Sequence, residues 1–249
     1  MSRERLLRET GKGLLRAGWR LEVEDLLNHL TEIRSFLEND KGNLLLYGNH
    51  IAFDDPVAAA LFYTHYIDPK GTRHLIIPAS HWHTDPKNSR PFYAATKAAE
   101  YFFGAEIYRI IQGYMVGDPQ YGYTKEEAWE SYRPFLTKLR ELRKNNEPIT
   151  LLIYPEGHRS ETGKLQNIEE GLIHAGKIMQ PTVYVPLAIY YKTPYIRTGG
   201  LMNSRLTGRC PHLSVGKPFF QEGNETPSAA QLMHNLAQSL PPQMRGSYQ

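Results

Sequence analysis

A histidine and an aspartate five residues apart, directly after an apolar run, are the strongest chemical signal in this chain. His50 and Asp55 follow residues 44–47, which predict a strand that stops at Gly48 and delivers His50 into a loop. Pro56 suits the first turn of a helix, so we expect Asp55 at the N-cap and a strand-turn-helix that folds the pair together. A carboxylate beside an imidazole fixes its tautomer and raises its basicity, as a general base requires. The alternative is that Asp55 only caps the helix and His50 is a loop residue.

Three further elements place polar residues near apolar runs. Residues 154–160 read Tyr-Pro-Glu-Gly-His-Arg-Ser after the run 149–153, the segment 104–109 runs from glycine to arginine, and a Val-Pro pair stands at 185–186. In this order the elements resemble the glycerolipid acyltransferase family, the bacterial lysophosphatidate acyltransferase type. That family carries His-x4-Asp, Gly…Arg, Pro-Glu-Gly-x-Arg-Ser and Val-Pro motifs. The resemblance covers residues 20 to 220, and its first and third motifs are specific when found together.

The resemblance implies a transferase that moves a fatty acyl group from a thioester carrier to an alcohol. The carrier is acyl-CoA or acyl-carrier protein, no other cofactor is needed, and the acceptor is lysophospholipid-like, with 1-acylglycerol-3-phosphate as one candidate. His50 is then the general base and Asp55 its orienting partner. The residues that the resemblance places at the polar head of the acceptor are Glu156, Gly157, Arg159 and, beside them, Arg109.

These residue types suit acyl transfer. An alcohol is a poor nucleophile until its proton is removed, and a positioned histidine typically contributes ~10²–10⁴-fold in rate. A guanidinium matches phosphate because its donors form a rigid fork. The chain departs from the family pattern at Ala52, Tyr108 and His158, and its second motif is one residue short. These departures concern the acceptor rather than the base, so they bear on which alcohol is acylated.

Two other classes of function compete with this one. A metal-dependent hydrolase could use His50, Asp54 and Asp55 with His81 and His83, since adjacent acids and alternating histidines suit metal ions. However, no cluster with the usual ligand spacing lies nearby, and the Pro-Glu-Gly element has no role in such a site, so we expect no metal. A catalytically idle lipid-binding module is the other alternative, although it would not require both His50 and Asp55.

Composition limits the class of protein. A chain of 249 residues can bury one large core, and the single cysteine, Cys210, excludes an internal disulfide framework. No apolar run approaches the ~20 residues that span a bilayer, and no secretory signal is recognisable. We therefore expect a cytoplasmic protein that is peripheral to the membrane.

The N-terminus carries the excess positive charge. Net charge is +3, yet the first twenty residues hold six basic and two acidic side chains, so the remainder is close to neutral. On a helical wheel, Arg5, Arg8, Lys12 and Arg16 oppose the leucines, which favours a helix lying on a membrane surface over an ordinary packed helix. Nucleic acid is not expected as a partner, because the basic pattern does not continue.

Alternating apolar runs predict an α/β fold with a central, mostly parallel sheet flanked by helices and preceded by an N-terminal helical segment. We divide the chain into that segment, residues 1–40, and an acyltransferase-like domain, residues 41–240. A helix is predicted from 23 to 37, a long charged one over 125–144, and a loose tail after 240. The aromatic residues at 92, 93 and 101–103 favour core packing over the lining of an acyl channel.

Overall fold

The computed structural model describes residues 10–11, 13, 21–25, 27–39, 42–52, 54–168, 171–191, 210–221, 223 and 225–248. The predicted basic helix of residues 1–21 therefore lies almost wholly outside the described residues. Within the described part, no helix combines the length and the apolar character needed to cross a membrane.

Strands and helices alternate along most of the chain. In order they are β1 Glu22–Glu24, α1 His29–Asn39, β2 Asn43–Gly48, α2 Asp55–Phe62, β3 His74–Ser80, α3 His81–Thr84, α4 Arg90–Phe103, β4 Glu106–Ile110, α5 Lys125–Lys144, β5 Ile149–Ile153, α6 Gly171–Met179, β6 Thr182–Tyr191, β7 Pro211–Val215, β8 Phe219–Gln221 and α7 Ala229–Gln238. A π-helical turn, Tyr63–Ile67, extends α2, and 3₁₀ turns cover Gly113–Met115 and Pro242–Met244.

The eight strands within the described residues form one sheet in the order β1-β7-β6-β2-β5-β3-β4, with β8 also on β6. All the pairings from β6 across to β4 are parallel, and β7 and β8 run antiparallel to β6. The predicted α/β architecture with a mostly parallel central sheet is confirmed. Pro186 has no backbone N–H and cannot donate a hydrogen bond to a neighbouring strand. It lies in β6 between the residues that pair with β8 and those that pair with β7.

Helices cover both faces of the sheet. We call the face packed against α1, α2 and α4 the front face, and the face packed against α5, α6 and α7 the back face. In β2 the side chains alternate, with Leu44 and Leu46 in the front core and Leu45 and Tyr47 in the back core. A strand buried on both faces reads as a continuous apolar run, which is why β2 was visible in the sequence.

Two expectations at the ends of the chain were wrong. The helix before β2 begins at His29 rather than 23, because residues 22–24 form an edge strand that pairs in parallel with β7. The tail after 240 is packed rather than loose: the Leu165 N–H donates to the Met244 carbonyl at 2.8 Å, and Leu240 is 2% exposed.

Candidate active site

The candidate site forms where two neighbouring parallel strands end. β2 and β5 pair from Leu44↔Thr150 to Tyr47↔Ile153, so the loops that follow them emerge side by side at the carboxyl edge of the sheet. The loops are joined through the backbone of His50. Its N–H donates to Glu156 Oε1 at 2.8 Å, and its carbonyl accepts from the Ser160 N–H at 2.7 Å.

Asp55 holds the imidazole of His50. The Asp55 side chain is fully buried, and Oδ2 lies 3.0 Å from His50 Nδ1. The same oxygen accepts the backbone N–H groups of Ile51 and Ala52, each at 2.7 Å. A carboxylate held by two backbone donors cannot turn away from the histidine, so the ring is fixed in orientation. The sequence prediction that the pair folds together is the arrangement the structure has.

The expected N-cap position of Asp55 was wrong by one residue. Asp54 is the N-cap of α2, without a side-chain capping bond, and Asp55 is the first helical residue. Asp55 therefore turns its carboxylate back onto the preceding loop instead of capping its own helix. Asp54 is also buried, and one of its oxygens accepts from the Tyr191 hydroxyl at 3.3 Å.

The His50 ring is positioned on a second side by Tyr154. The two rings are stacked, with centroids 4.5 Å apart and an interplanar angle of 27°. Burial raises the pKa of the Tyr154 phenol well above its usual range, so the stacking partner is neutral. Because Nδ1 faces the carboxylate and carries the proton, the other ring nitrogen of His50, Nε2, is left as the basic one. The His50 side chain is 17% exposed.

Glu156 is engaged by backbone donors rather than open to the cavity. It is 2% exposed, and while Oε1 accepts from His50, Oε2 accepts from the Gln166 N–H at 2.8 Å. Burial raises the pKa of Glu156 to about 7, a shift that the two backbone hydrogen bonds oppose and the neighbouring Asp55 increases. The carboxylate thus ties together three stretches of backbone: the His50 loop, its own turn and the segment at 166.

Three consecutive residues of the 154–160 loop line the cavity. Gly157 has φ +72, a left-handed conformation that favours glycine, and it lines the cavity with His158 and Arg159. Within the described part of the chain, no acidic side chain pairs with Arg159. Its charge is therefore available to an anionic ligand. Gln112, which sequence reasoning missed, donates its side-chain amide to the Gly157 carbonyl.

Arg109 lies elsewhere. It is exposed on β4, in register with Ala79, and its guanidinium sits over the Tyr93 ring, 5.7 Å from the centroid. It is not among the described residues that line the cavity. The structure thus brings together His50, Asp55, Glu156, Gly157 and Arg159, and it leaves Arg109 outside the cavity, over the Tyr93 ring of α4.

Asn49 is a second residue that the sequence did not single out. Its buried amide donates to the Ile189 carbonyl at 2.8 Å and accepts from the Ile189 N–H at 2.7 Å. The parallel β2–β6 ladder ends at Gly48↔Leu187, so Asn49 continues it with a side chain. The residue next to His50 is thereby anchored to β6. No local signal in the sequence could reveal this contact, because its partner is 140 residues away.

A cavity of about 1200 Å³ opens beside His50. It exceeds the ~300–1,000 Å³ usual for pockets that take a drug-sized ligand. None of its described lining residues is acidic, and most are apolar. Phe92 and Phe102 line it and α4 has no buried residue, so the preference for core packing at these two positions was wrong. Phe103 lines the cavity and also packs against the front core.

The alternative metal site does not assemble in the described residues. No group of three or more His, Cys, Asp or Glu side chains comes together there in a way that could hold a metal ion. His81, one of the suggested ligands, lies 3.1 Å from the Tyr123 hydroxyl through Nδ1. All the hydrogen bonds shown for Asp55 go from Oδ2 to the His50 loop.

Comparisons with known proteins find a likeness in structure rather than in sequence. The sequence matches no family model and no curated protein. Among solved structures, the chain is similar to the 1-acyl-sn-glycerophosphate (LPA) acyltransferase PlsC from Thermotoga maritima. The TM-score is 0.46 and the identity 15%, over 92% of this chain and 73% of that one.

Proposed function

We propose that this protein is an acyltransferase that moves a fatty acyl group from a thioester carrier to the hydroxyl of a lysophospholipid-like acceptor, with His50 as general base. The observation that carries the proposal is the buried Asp55 carboxylate on His50 Nδ1, beside a large apolar cavity. The motif pattern that contains both residues supports the same reaction.

In this mechanism the two substrates react directly. His50 Nε2 accepts the proton of the acceptor hydroxyl as its oxygen attacks the thioester carbonyl carbon. The C–O bond forms, the C–S bond breaks, and the imidazolium returns the proton to the departing thiolate. Asp55 stabilises the imidazolium while it exists and keeps the ring turned toward the cavity. No covalent acyl-enzyme is required.

Arg159 supports an acceptor with an anionic head. It lines the cavity near His50 and has no acidic partner within the described residues. A phosphate there would gain a forked, charge-assisted contact, while the apolar walls suit acyl chains. Such substrates are held in bilayers, so a membrane surface is the natural partner. The thioester carrier is either CoA or acyl-carrier protein, and a peripheral, cytoplasmic location would give access to both.

The first prediction tests the base. His50→Ala should lower turnover by ~10²-fold or more because it removes the proton acceptor. Asp55→Asn should also lower turnover, since the amide no longer stabilises the imidazolium. The measurement is product formation, followed by mass spectrometry, with a panel of lysolipid acceptors and both CoA and acyl-carrier-protein thioesters.

The matched control is His81→Ala, which removes a half-buried histidine that contacts Tyr123 rather than Asp55. It should retain activity. A His50→Ala protein with normal circular dichroism and wild-type turnover would remove the mechanism. If the wild type binds lysolipids but transfers no acyl group from either carrier, the protein is a lipid-binding module and the proposal is wrong.

A further inference from the structure

The cavity extends over both faces of the sheet. Along β3, Ile77 and Ala79 point to the front face and Pro78 and Ser80 to the back, and all four line the cavity. It therefore passes over the carboxyl ends of the strands, where His50 lies, and has two arms. We call the part bounded by α2, α4 and the front of β3 the front arm, and the part bounded by α5, α6 and the start of α7 the back arm.

The front arm is apolar from its beginning. It starts at Pro56 and Val57, immediately after the His50 loop, and continues beneath α4. No described residue that lines it carries a charge. Small side chains on α4 leave this space open: Ala95, Ala98 and Ala99 all line it, and Phe102 and Phe103 close its far end.

The back arm differs from the front arm because charged and polar groups line it together with apolar ones. His158 and Arg159, in the loop beside His50, belong to it. Its other walls include the apolar side chains of Trp129 and Tyr132 on α5 and of Ile173 on α6, the polar or basic side chains of His174 and Lys177 on α6, and Ala229 at the start of α7. Trp129 is 62% exposed, so this arm reaches the surface.

We propose that the two arms sort the two substrates, so that the acyl chain of the thioester lies in the front arm and the apolar part of the acceptor lies in the back arm. This inference rests on the proposed function. In a fatty acyl thioester the chain is hydrocarbon from the first carbon beyond the reacting carbonyl, which matches an arm that is apolar from His50 outward. In a lysophospholipid a polar, anionic head separates the reacting hydroxyl from the chain, which matches an arm that starts at Arg159.

The size of the cavity agrees with this sorting. At about 1200 Å³ it exceeds what one drug-sized ligand requires. Approach from opposite faces would let both substrates reach His50 at once, as direct transfer demands, without competing for the same apolar wall. Each arm would then set the chain preference for one substrate only.

The test fills one arm at a time. Ala98→Phe narrows the front arm, with Lys97→Phe on the outer side of α4 as control; Ala229→Phe narrows the back arm, with the exposed neighbour Ala230→Phe as control. For each variant, kcat/KM is measured over thioesters, and separately over lysolipids, of increasing chain length. We expect Ala98→Phe to lower kcat/KM for long thioesters ~10-fold or more without changing the acceptor series. Ala229→Phe should do the reverse. The inference would be overturned if Ala98→Phe affected only the lysolipid series and Ala229→Phe only the thioester series. It would also be overturned if one variant changed kcat/KM in both series, or if neither variant changed it in any.

A binding experiment separates this inference from the proposed reaction. In a Trp19→Phe, Trp82→Phe protein, Trp129 is the single tryptophan, and it lines the back arm. A lysolipid with a brominated chain should quench its fluorescence, whereas a brominated, non-reactive thioether of the acyl carrier should not. Quenching by the thioether and not by the lysolipid would overturn the sorting even if transfer is active. If the lysolipid quenches Trp129 as expected but no acyl transfer is detected, the assignment of substrates to the two arms stands and the proposed reaction is wrong.

Discussion

At the scale of single residues, the main point is that Glu156 acts on the backbone of the site. Both of its carboxylate oxygens accept backbone N–H groups, from His50 and from Gln166. The family resemblance instead places this residue at the polar head of the acceptor. A side chain with both oxygens occupied and 2% exposure is better suited to hold His50 in place than to bind a ligand.

The second prediction follows from this geometry. Glu156→Gln keeps the size of the side chain but turns one acceptor oxygen into an NH₂ donor that faces a backbone N–H. Because His50 loses a support while Arg159 is unchanged, we expect kcat to fall ~10-fold or more with little change in acceptor KM. Steady-state kinetics over a range of acceptor concentrations distinguish a lower kcat from a higher acceptor KM. A raised acceptor KM with unchanged kcat would mean that Glu156 binds the acceptor.

The buried carboxyl also predicts how stability depends on pH. Its pKa is about 7 in the folded protein, against 4.5 for an ordinary glutamate, so between these values the folded state binds more protons than the unfolded state. The contribution of Glu156 to stability is therefore lost as pH rises from about 4.5 through 7. Urea midpoints at pH 5 and pH 8 should differ less in Glu156→Gln than in the wild type. An equal difference would show that this group does not titrate in that range.

The third prediction compares the two arginines of the family motifs. Arg159 lines the cavity, and Arg109 lies over Tyr93 outside it. Arg159→Lys should raise acceptor KM ~10-fold, because a point charge replaces the fork that fits phosphate, whereas Arg109→Lys should leave KM close to wild type. The assay is acceptor titration at saturating thioester. If the Arg109 variant shows the larger effect, the acceptor head lies near α4 and the role given to Arg159 is wrong.

At the scale of elements, β2 is held at both ends by asparagine side chains. Asn43, at its start, accepts from the Ile149 N–H at 2.9 Å and donates to the Met179 carbonyl. Asn49, just after its end, makes both of its contacts with Ile189. The first joins β2 to β5 and α6, and the second joins the His50 loop to β6.

The fourth prediction uses these asparagines as a matched pair. Each replacement by alanine leaves buried backbone groups without partners, so Asn43→Ala and Asn49→Ala should each lower the free energy of unfolding by ~2 kcal/mol or more. Only Asn49→Ala should also lower kcat, because only Asn49 adjoins His50. Urea denaturation and steady-state kinetics provide the two readouts. Equal losses of kcat at equal stability would show that the effect comes from the sheet as a whole.

The elements differed in how well the sequence predicted them. Helix α5 was predicted at its observed bounds, Lys125–Lys144, and a local signal explains why: Thr124 and Glu127 form a capping box at its start. β1 and β8 have three residues each, too few to show a period, and both exist through pairing with distant strands. Local motifs in the sequence were enough to locate His50, Asp55 and the 154–160 loop. The roles of Asn49, Tyr154 and Glu156 depend on contacts between distant residues, so they became visible only in the folded structure.

At the scale of the whole molecule, Gly11 lies against a residue that lines the front arm. Gly11 packs so closely on the ring of Phe102 that a Cβ at Gly11 would lie 2.0 Å from Phe102 Cε1, and Phe102 lines the front arm. Gly11, which lies within the predicted basic segment of residues 1–21, is therefore next to α4 and the front arm. A lipid that reached this side would be close to α4.

The fifth prediction tests membrane binding by charge. Replacing Arg5, Arg8, Lys12 and Arg16 by glutamine should weaken co-sedimentation with anionic vesicles ~10-fold or more at low salt, because each basic residue near such a surface contributes ~1 kcal/mol. High salt should also weaken binding of the wild type to anionic vesicles, because it screens the charges. A matched variant with four exposed lysines or arginines of α5 changed to glutamine, at Lys125, Arg133, Arg140 and Lys144, is the control. Equal binding by all three proteins would place the membrane contact elsewhere.

The central position of β2 also has a consequence for how the protein is made. The partner of the His50 N–H, Glu156, comes 106 residues later in the chain, and the strands on either side of β2 are β5 and β6. Pairings between distant segments form slowly, because the entropy cost of closing a long loop comes before the contacts that stabilise it. During synthesis β2 emerges early, and its two edges stay unpaired until first β5 and then β6 have been made. We therefore expect translation rate and chaperone supply to affect the yield of folded protein, since His50 cannot be held by Glu156 until that residue has been synthesised.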